Sequence, residues 1–427
     1  MQLRRIALLS FLLAVPTLAA ADWDRFRGPG GLGTADDKTI PVSFGPKDAL
    51  WKTAIPGRGN SSPIVSNGKV FLQTASDDGS KRSLVCLNAT TGSIEWSKDV
   101  KGAMGKIHNK NSMASSTPAA DGERVYTVFW DGQRISLSAW DFAGKQLWNR
   151  DLGKYASQHG AGLSPMVVGD TVILNIDQDG LAEVAAFDVK TGTPVWKKSR
   201  QAFRACYTTP FLLERDGKQE LIVASTAGVT SYDPKDGAVF WNWTWVWKPD
   251  PGAPKSNGKG GPGGPLRNVG GPIYHDGMII AIAGDGGGDR CTVAIKAGPS
   301  GDITETGLIW EKKQKTPYVP MVLAKGDYLY WVADKENKGM CIEAKTGKVK
   351  WEERLPGAQE VTASPVLIDG KVYSINEAGR VSVFEAAPKF SLLADNDLGE
   401  DVMATPAVAN GRLYIRTSNN LFCFGKK

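Results

Sequence analysis

Short apolar runs and polar turn signals alternate along this chain with a nearly fixed period. Each period opens on a proline that follows Ser, Thr, Gly or Val and precedes apolar residues. The series is Pro63, Pro118, Pro165, Pro210, Pro272, Pro320, Pro365 and Pro406, at intervals of 41 to 62 residues. A two-residue turn signal then follows in most units: Asn67-Gly68, Asp121-Gly122, Asp216-Gly217, Asp276-Gly277, Asp369-Gly370 and Asn410-Gly411. Type I′ turns need positive φ at both central positions, which Asn/Asp-Gly tolerates, so these pairs predict β-hairpins. The strand after each turn is apolar, as in Val70-Phe71-Leu72 and Val372-Tyr373-Ser374-Ile375.

The units close on the pattern A-x-D-x-x-T-G-x-x-x-W. Its cleanest copy runs from Ala186 through Asp188, Thr191 and Gly192 to Trp196, and variants end at Trp96, Trp148, Trp241, Trp310 and Trp351. Four antiparallel strands per unit, repeated eight times, predict an all-β, eight-bladed β-propeller with the tryptophans filling the seams between blades. The last unit has only three strands. The missing outer strand, with its tryptophan, matches Leu50-Trp51-Lys52-Thr53, so the N-terminal strand is expected to close blade eight and leave no bare sheet edge. Cys86, Cys341 and Cys423 occupy the Ala slot of their copies, which predicts buried core thiols rather than disulfides.

Composition narrows the class. Of 427 residues, 49 are Gly and 14 are Trp, with 41% apolar and 22% charged residues, which excludes collagen, coiled coil and wholesale disorder. The net charge of +6 is spread without a run of five basic residues, which speaks against a nucleic-acid partner. Residues 1–21 read as a signal peptide: Arg4-Arg5, an apolar stretch from Ile6 to Leu18, and the A-x-A site Ala19-Ala20-Ala21. That stretch is too short for a membrane span, which needs about 20 residues. The expected division is a leader (1–21), an N-terminal extended segment (22–47) and the propeller (48–427), in a monomer exported to the periplasm or beyond, with no transmembrane segment after cleavage.

The repeat motif resembles that of the pyrroloquinoline-quinone (PQQ) propeller superfamily, in register over residues 48–427. Trp23-Asp24-Arg25-Phe26-Arg27-Gly28-Pro29 is similar to the W-x-x-F-R-G-P opening of exported PQQ-like repeat proteins. The resemblance implies one of two branches: quinoprotein dehydrogenases, which use PQQ and usually calcium, or non-catalytic scaffolds such as the outer-membrane assembly protein BamB. The adjacent Cys-Cys pair of alcohol-type quinoproteins is absent, and no calcium ligand set aligns. The expectation is therefore a BamB-like exported binding or assembly propeller with no cofactor and no catalytic residue, recognising a protein, small ligand or glycan in the cell envelope. A PQQ-dependent dehydrogenase and a carbohydrate-binding module are the alternatives.

Loops leading into the innermost strands of a propeller open on one face. The residues just before each proline there are Asn60, His108, Asn111, His159, Arg204, Tyr207, Arg267, Asn268, Tyr318, Glu360 and Asp401, a polar ring expected around the channel mouth. His108 and His159 lack a third metal ligand, so no metal site is expected. Asp177-Gln178-Asp179-Gly180 and the Gly284–Asp289 run lack a complete calcium-loop pattern and read as turns. Trp241, Trp243, Trp245 and Trp247 alternate and share one strand face. Trp241 belongs to a seam, together with Trp51, Trp96, Trp148, Trp196, Trp310 and Trp351. The other three lead into the Gly/Pro/Lys-rich loop 249–265 and offer a candidate aromatic binding surface.

Overall fold

The computed structural model describes residues 22–246, 265–286, 288–298 and 300–426. The expected leader, Trp247 and the loop from 249 to 264 lie outside the described residues. Among the described residues, eight sheets of four antiparallel core strands form the blades of a propeller. Blades 1 to 7 span 64–101, 119–154, 166–200, 211–244, 273–312, 323–354 and 366–397. Blade 8 combines three strands of 407–425 with Trp51–Ala54. Trp51 pairs with Cys423 and Ala54 with Asn420, so the N-terminal strand closes the ring as its outermost member.

Burial explains the sequence pattern. The second strand of a blade is covered on both faces by neighbouring blades, and Lys69–Ala75 is buried along nearly its whole length. The outer strand meets solvent on one face, and Ile94–Lys101 alternates between exposed and half-buried positions. At five of the six predicted Asn/Asp-Gly turns both residues have positive φ, as type I′ requires. The sixth differs. Only Gly122 is left-handed, and the Asp121 carboxylate instead accepts the amides of Glu123 and Arg124.

Each seam tryptophan reaches into the next blade. The indole N–H of Trp51, Trp96, Trp148, Trp196, Trp310 and Trp351 donates to Ala89, Phe142, Val189, Pro234, Ala344 and Ala387 carbonyls, at 2.8–3.3 Å. Trp241 departs from this rule. It donates to Glu220 Oε2 within its own blade, and its strand is flanked by the extra strand Gly301–Asp302 from blade 5. Across from the seam rings stand small residues: Cys86 faces Trp96, Ala186 faces Trp196, Cys341 faces Trp351. All five cysteines are free and buried.

The Ser/Thr before the prolines also has a role. Its hydroxyl accepts the backbone N–H of the preceding blade: Thr405 to Ser62, Ser62 to Thr117, Thr117 to Ser164, and Ser364 to Thr405, at 2.9–3.0 Å. This girdle stitches the inner strands around the channel. Blades 5 and 6 carry Gly271 and Val319 at the equivalent place, and the stitching is interrupted there.

The N-terminal segment plugs the channel. Trp23 bridges Val65 of blade 1, and the Asp24 carbonyl accepts the Ala120 amide of blade 2. Arg25 donates to the Pro210 carbonyl ahead of blade 4, at 2.7 Å. Arg27 donates to the Val322 and Pro365 carbonyls, at 3.1 and 3.0 Å, joining blades 6 and 7. Thr34–Ala35 then pairs parallel with the inner strand of blade 7. Gly28 cannot be replaced in this turn: its φ is +65°, and a Cβ would sit 2.4 Å from the Trp23 ring. No helix among the described residues is long and apolar enough to cross a membrane.

Candidate functional site

The plug leaves the channel open on the face where the inter-blade loops gather. There it forms a concavity of about 410 Å³, with Phe26 of the plug in its lining. Asn60, His108, Asn111, His159, Tyr207, Tyr318 and Glu360 line this mouth. Residues more than 250 positions apart in sequence therefore share one wall. The fold achieves this because every blade delivers its entry loop to the same end of the channel.

The expected ring needs three corrections. Asn268 is fully buried behind the wall, where its side-chain amide donates to the Ile282 carbonyl at 2.7 Å. Its neighbour Arg267 takes the lining position. Arg204 stands beside the mouth, with Nη1 3.4 Å from the Pro265 carbonyl, and does not line it. Asp401 is exposed outside the wall, and its backbone carbonyl receives the Ser418 amide.

Several lining groups hold one another in place. The Asn111 side-chain amide donates to the His159 carbonyl at 2.7 Å, tying the second entry loop to the third. The His108 and His159 rings meet edge-to-face at 4.8 Å. Tyr207 shares a 2.7 Å hydrogen bond with the Ser157 hydroxyl. Burial, with Lys110 and Arg267 nearby, lowers the His108 pKa from its ordinary value.

The electrostatics rest on residues that the proline-anchored reading missed. Lys110 crosses the mouth to Glu360 and, at 2.7 Å, to Glu377. Burial works against its charge, but the hydrogen bonds to Glu360 and Glu377 outweigh it and raise the pKa. Arg290 pairs with the buried Asp334 at 3.3 Å and stacks over the Tyr318 ring at 4.9 Å. Glu377, Asp334 and Lys335 come from the loops joining second and third strands. Those loops open on the same face as the entry loops, which is the signal that would have found them.

The aromatic surface is also corrected. Trp243 and Trp245 do share a face with Trp241, but they are 4% and 6% exposed. They pack edge-to-face on each other, ring centroids 4.9 Å apart, in a core cluster shared with side chains of blade 5. These two rings therefore present no stacking platform to a glycan, and Trp247 lies outside the described residues. The two calcium-like loops engage their carboxylates locally: Asp177 pairs with Arg200 at 3.4 Å, Asp179 accepts the Ala205 and Gln158 amides, and Asp285 accepts the Gly288 amide. Among the described residues no group of three His, Cys, Asp or Glu is placed to hold a metal ion.

Comparison with known proteins agrees with this fold. The family model described as outer membrane protein assembly factor BamB matches residues 36–133, 105–353 and 275–388. The outer membrane protein assembly factor BamB of Yersinia pestis is 24% identical over 154 residues, a match that spans 35% of each chain. BamB from Moraxella catarrhalis superposes with a TM-score of 0.59 at 14% identity, covering 88% of this chain and 99% of that one. The quinohemoprotein alcohol dehydrogenase from Comamonas testosteroni superposes with a TM-score of 0.63 at 12% identity, covering 95% and 81%. At such identities the structural likenesses establish the fold, and both an assembly factor and a dehydrogenase share it.

Proposed function

The chain belongs to the BamB family of PQQ-type repeat propellers, and from that premise we propose that it is an exported, non-catalytic binding or assembly propeller of the cell envelope. Recognition takes place at the channel mouth. The observation that carries this reading is the plugged channel: Phe26 and its neighbours turn a through-channel into a closed cup lined by polar groups and rings. The BamB relatives are named for outer-membrane assembly, which supports a partner in the envelope.

The donor set of the mouth speaks against the quinoprotein alternative. Calcium would need several free carboxylate oxygens. Here Glu360 and Glu377 are held by Lys110, and Asp334 by Arg290. Cys206, next to the lining residue Tyr207, is fully buried, and burial pushes its thiol up to about 12. It has no adjacent partner cysteine.

The test is a photo-cross-linking residue at Asn109, which is exposed and lines the mouth, against one at Asp216, exposed on the opposite face. Envelope adducts concentrated at position 109 are expected. Adducts at 216 with none at 109 would overturn the assignment of recognition to the mouth.

A further inference from the structure

Resting on the reading of the mouth as a binding site, we infer that it takes a small aromatic carboxylate, with the carboxylate on Arg267 and the flat body against the mouth's rings. Arg267 is 1% exposed and lies in the wall, yet its Nε and Nη1 have no hydrogen-bond partner. No other described arginine leaves two nitrogens so. Other buried arginines are better satisfied: Arg27 and Arg82 each donate to carbonyls through several nitrogens, Arg416 Nη1 donates to the Ser61 and Gln73 carbonyls, and Arg25 and Arg200 each leave a single nitrogen without a partner. A buried cation with unmade hydrogen bonds is costly, and an anion that completes them removes that cost.

The neighbouring cations have partners of their own. Lys110 and Arg290 are neutralised by their own carboxylates. Lys335, on the same side of the mouth, donates to the Gly286 carbonyl at 3.0 Å and adds further positive charge. Among the described residues no carboxylate lies within ion-pair distance of Arg267, although the Asp285 charge acts on it, and this is the arc where the hydroxyl girdle is interrupted. The guanidinium offers a planar fork that matches a carboxylate. The remaining walls supply the second half of the chemistry: Phe26, His108, Tyr207 and Tyr318 present rings, and Val269 and Met403 present apolar surface. A cup of about 410 Å³ suits one or two fused rings.

The experiment is calorimetric titration of the full exported chain with 2-naphthoate and with its neutral analogue 2-naphthamide. The carboxylate is expected to bind at least ten-fold tighter. Arg267→Gln should lower naphthoate affinity at least ten-fold, leave the amide unchanged, and keep or raise the melting temperature. Arg267→Lys should retain part of the preference, and inorganic phosphate should compete. Equal affinity for acid and amide would overturn the inference, and that comparison needs only the parent protein, so it stands even if a variant fails to fold. Undiminished naphthoate binding by a folded Arg267→Gln would overturn it too. If neither compound binds while position 109 still captures a partner, the carboxylate inference falls and the binding reading survives.

Discussion

The indole of Trp51 lies directly on Gly92: a Cβ at Gly92 would come within 2.4 Å of Trp51 Cδ2, and Gly92 itself has φ of +74°. Trp51 belongs to the strand that completes blade 8, and Gly92 to the last hairpin of blade 1, so this contact closes the ring. The same pairing recurs as Trp96 with Gly144, Trp148 with Gly192, Trp196 with Gly237 and Trp310 with Gly347. The Thr-Gly of the repeat thus answers two demands, a left-handed turn and a flat seat for the preceding blade's ring.

Closure by this contact gives a first prediction. Trp51→Ala removes a half-buried ring and should cost roughly 2–4 kcal/mol. Gly92→Ala should cost about 1–3 kcal/mol from backbone strain and collision with the ring. In the Trp51→Ala background the collision disappears, so the two costs should fall short of additivity. Denaturant midpoints of the four proteins measure this. Full additivity would place the cost of Gly92→Ala in the turn alone.

The plug gives a second. Arg27 is held by carbonyls of its own turn and of blades 6 and 7, with no carboxylate among those partners, and burial lowers its pKa to about 9. Arg27→Met should unfasten the turn while leaving the blades paired. The Leu367 and Asp369 amides donate to Gly33 and Ala35 carbonyls, so their hydrogen exchange should accelerate about ten-fold or more. Unchanged exchange at both would show that the plug is held without Arg27.

The blades were legible in the sequence because each strand meets the same environment in every repeat. The two-residue turns, the small residue opposite each tryptophan and the Thr-Gly seat recur for that reason. The ring closure was legible because one tryptophan was missing at the end and present at the start. The mouth was legible where a residue precedes a proline in an entry loop, as for Asn60, Tyr318 and Glu360. Between Arg267 and Asn268 the sequence offers no choice, since backbone direction decides which side chain faces the channel and which turns into the wall. The plug has no period to reveal it: Trp23 to Arg27 occurs once, and its contacts are with residues up to 338 positions away. The burial of Trp243 and Trp245 depends on blade 5, whose extra strand departs from the repeat.

His108 supplies a pH prediction. Burial lowers its pKa below 6.5, and Lys110 and Arg267 press the same way. The native state then binds this proton less readily than the unfolded chain does. Stability therefore rises with pH between the depressed native value and 6.5, and acidification through that window favours unfolding. The ring-proton NMR titration of His108 should have its midpoint below 6.5 in the free protein. A carboxylate seated on Arg267 should move that midpoint up, because it offsets a nearby positive charge. A midpoint above 6.5 without ligand would contradict the sign of this local field.

Cofactor loading is the last expectation. Glu360 and Glu377 are both committed to Lys110, so a calcium ion would have to displace an ammonium whose pKa those contacts already raise. Protein incubated with PQQ and calcium should show no calcium-dependent retention of quinone and no dye-linked alcohol oxidation. PQQ carries aromatic carboxylates, so any weak association should ignore calcium and weaken in Arg267→Gln, as for naphthoate. Stoichiometric, calcium-dependent retention with alcohol oxidation would place this chain among the enzymes that share its fold and overturn the binding reading.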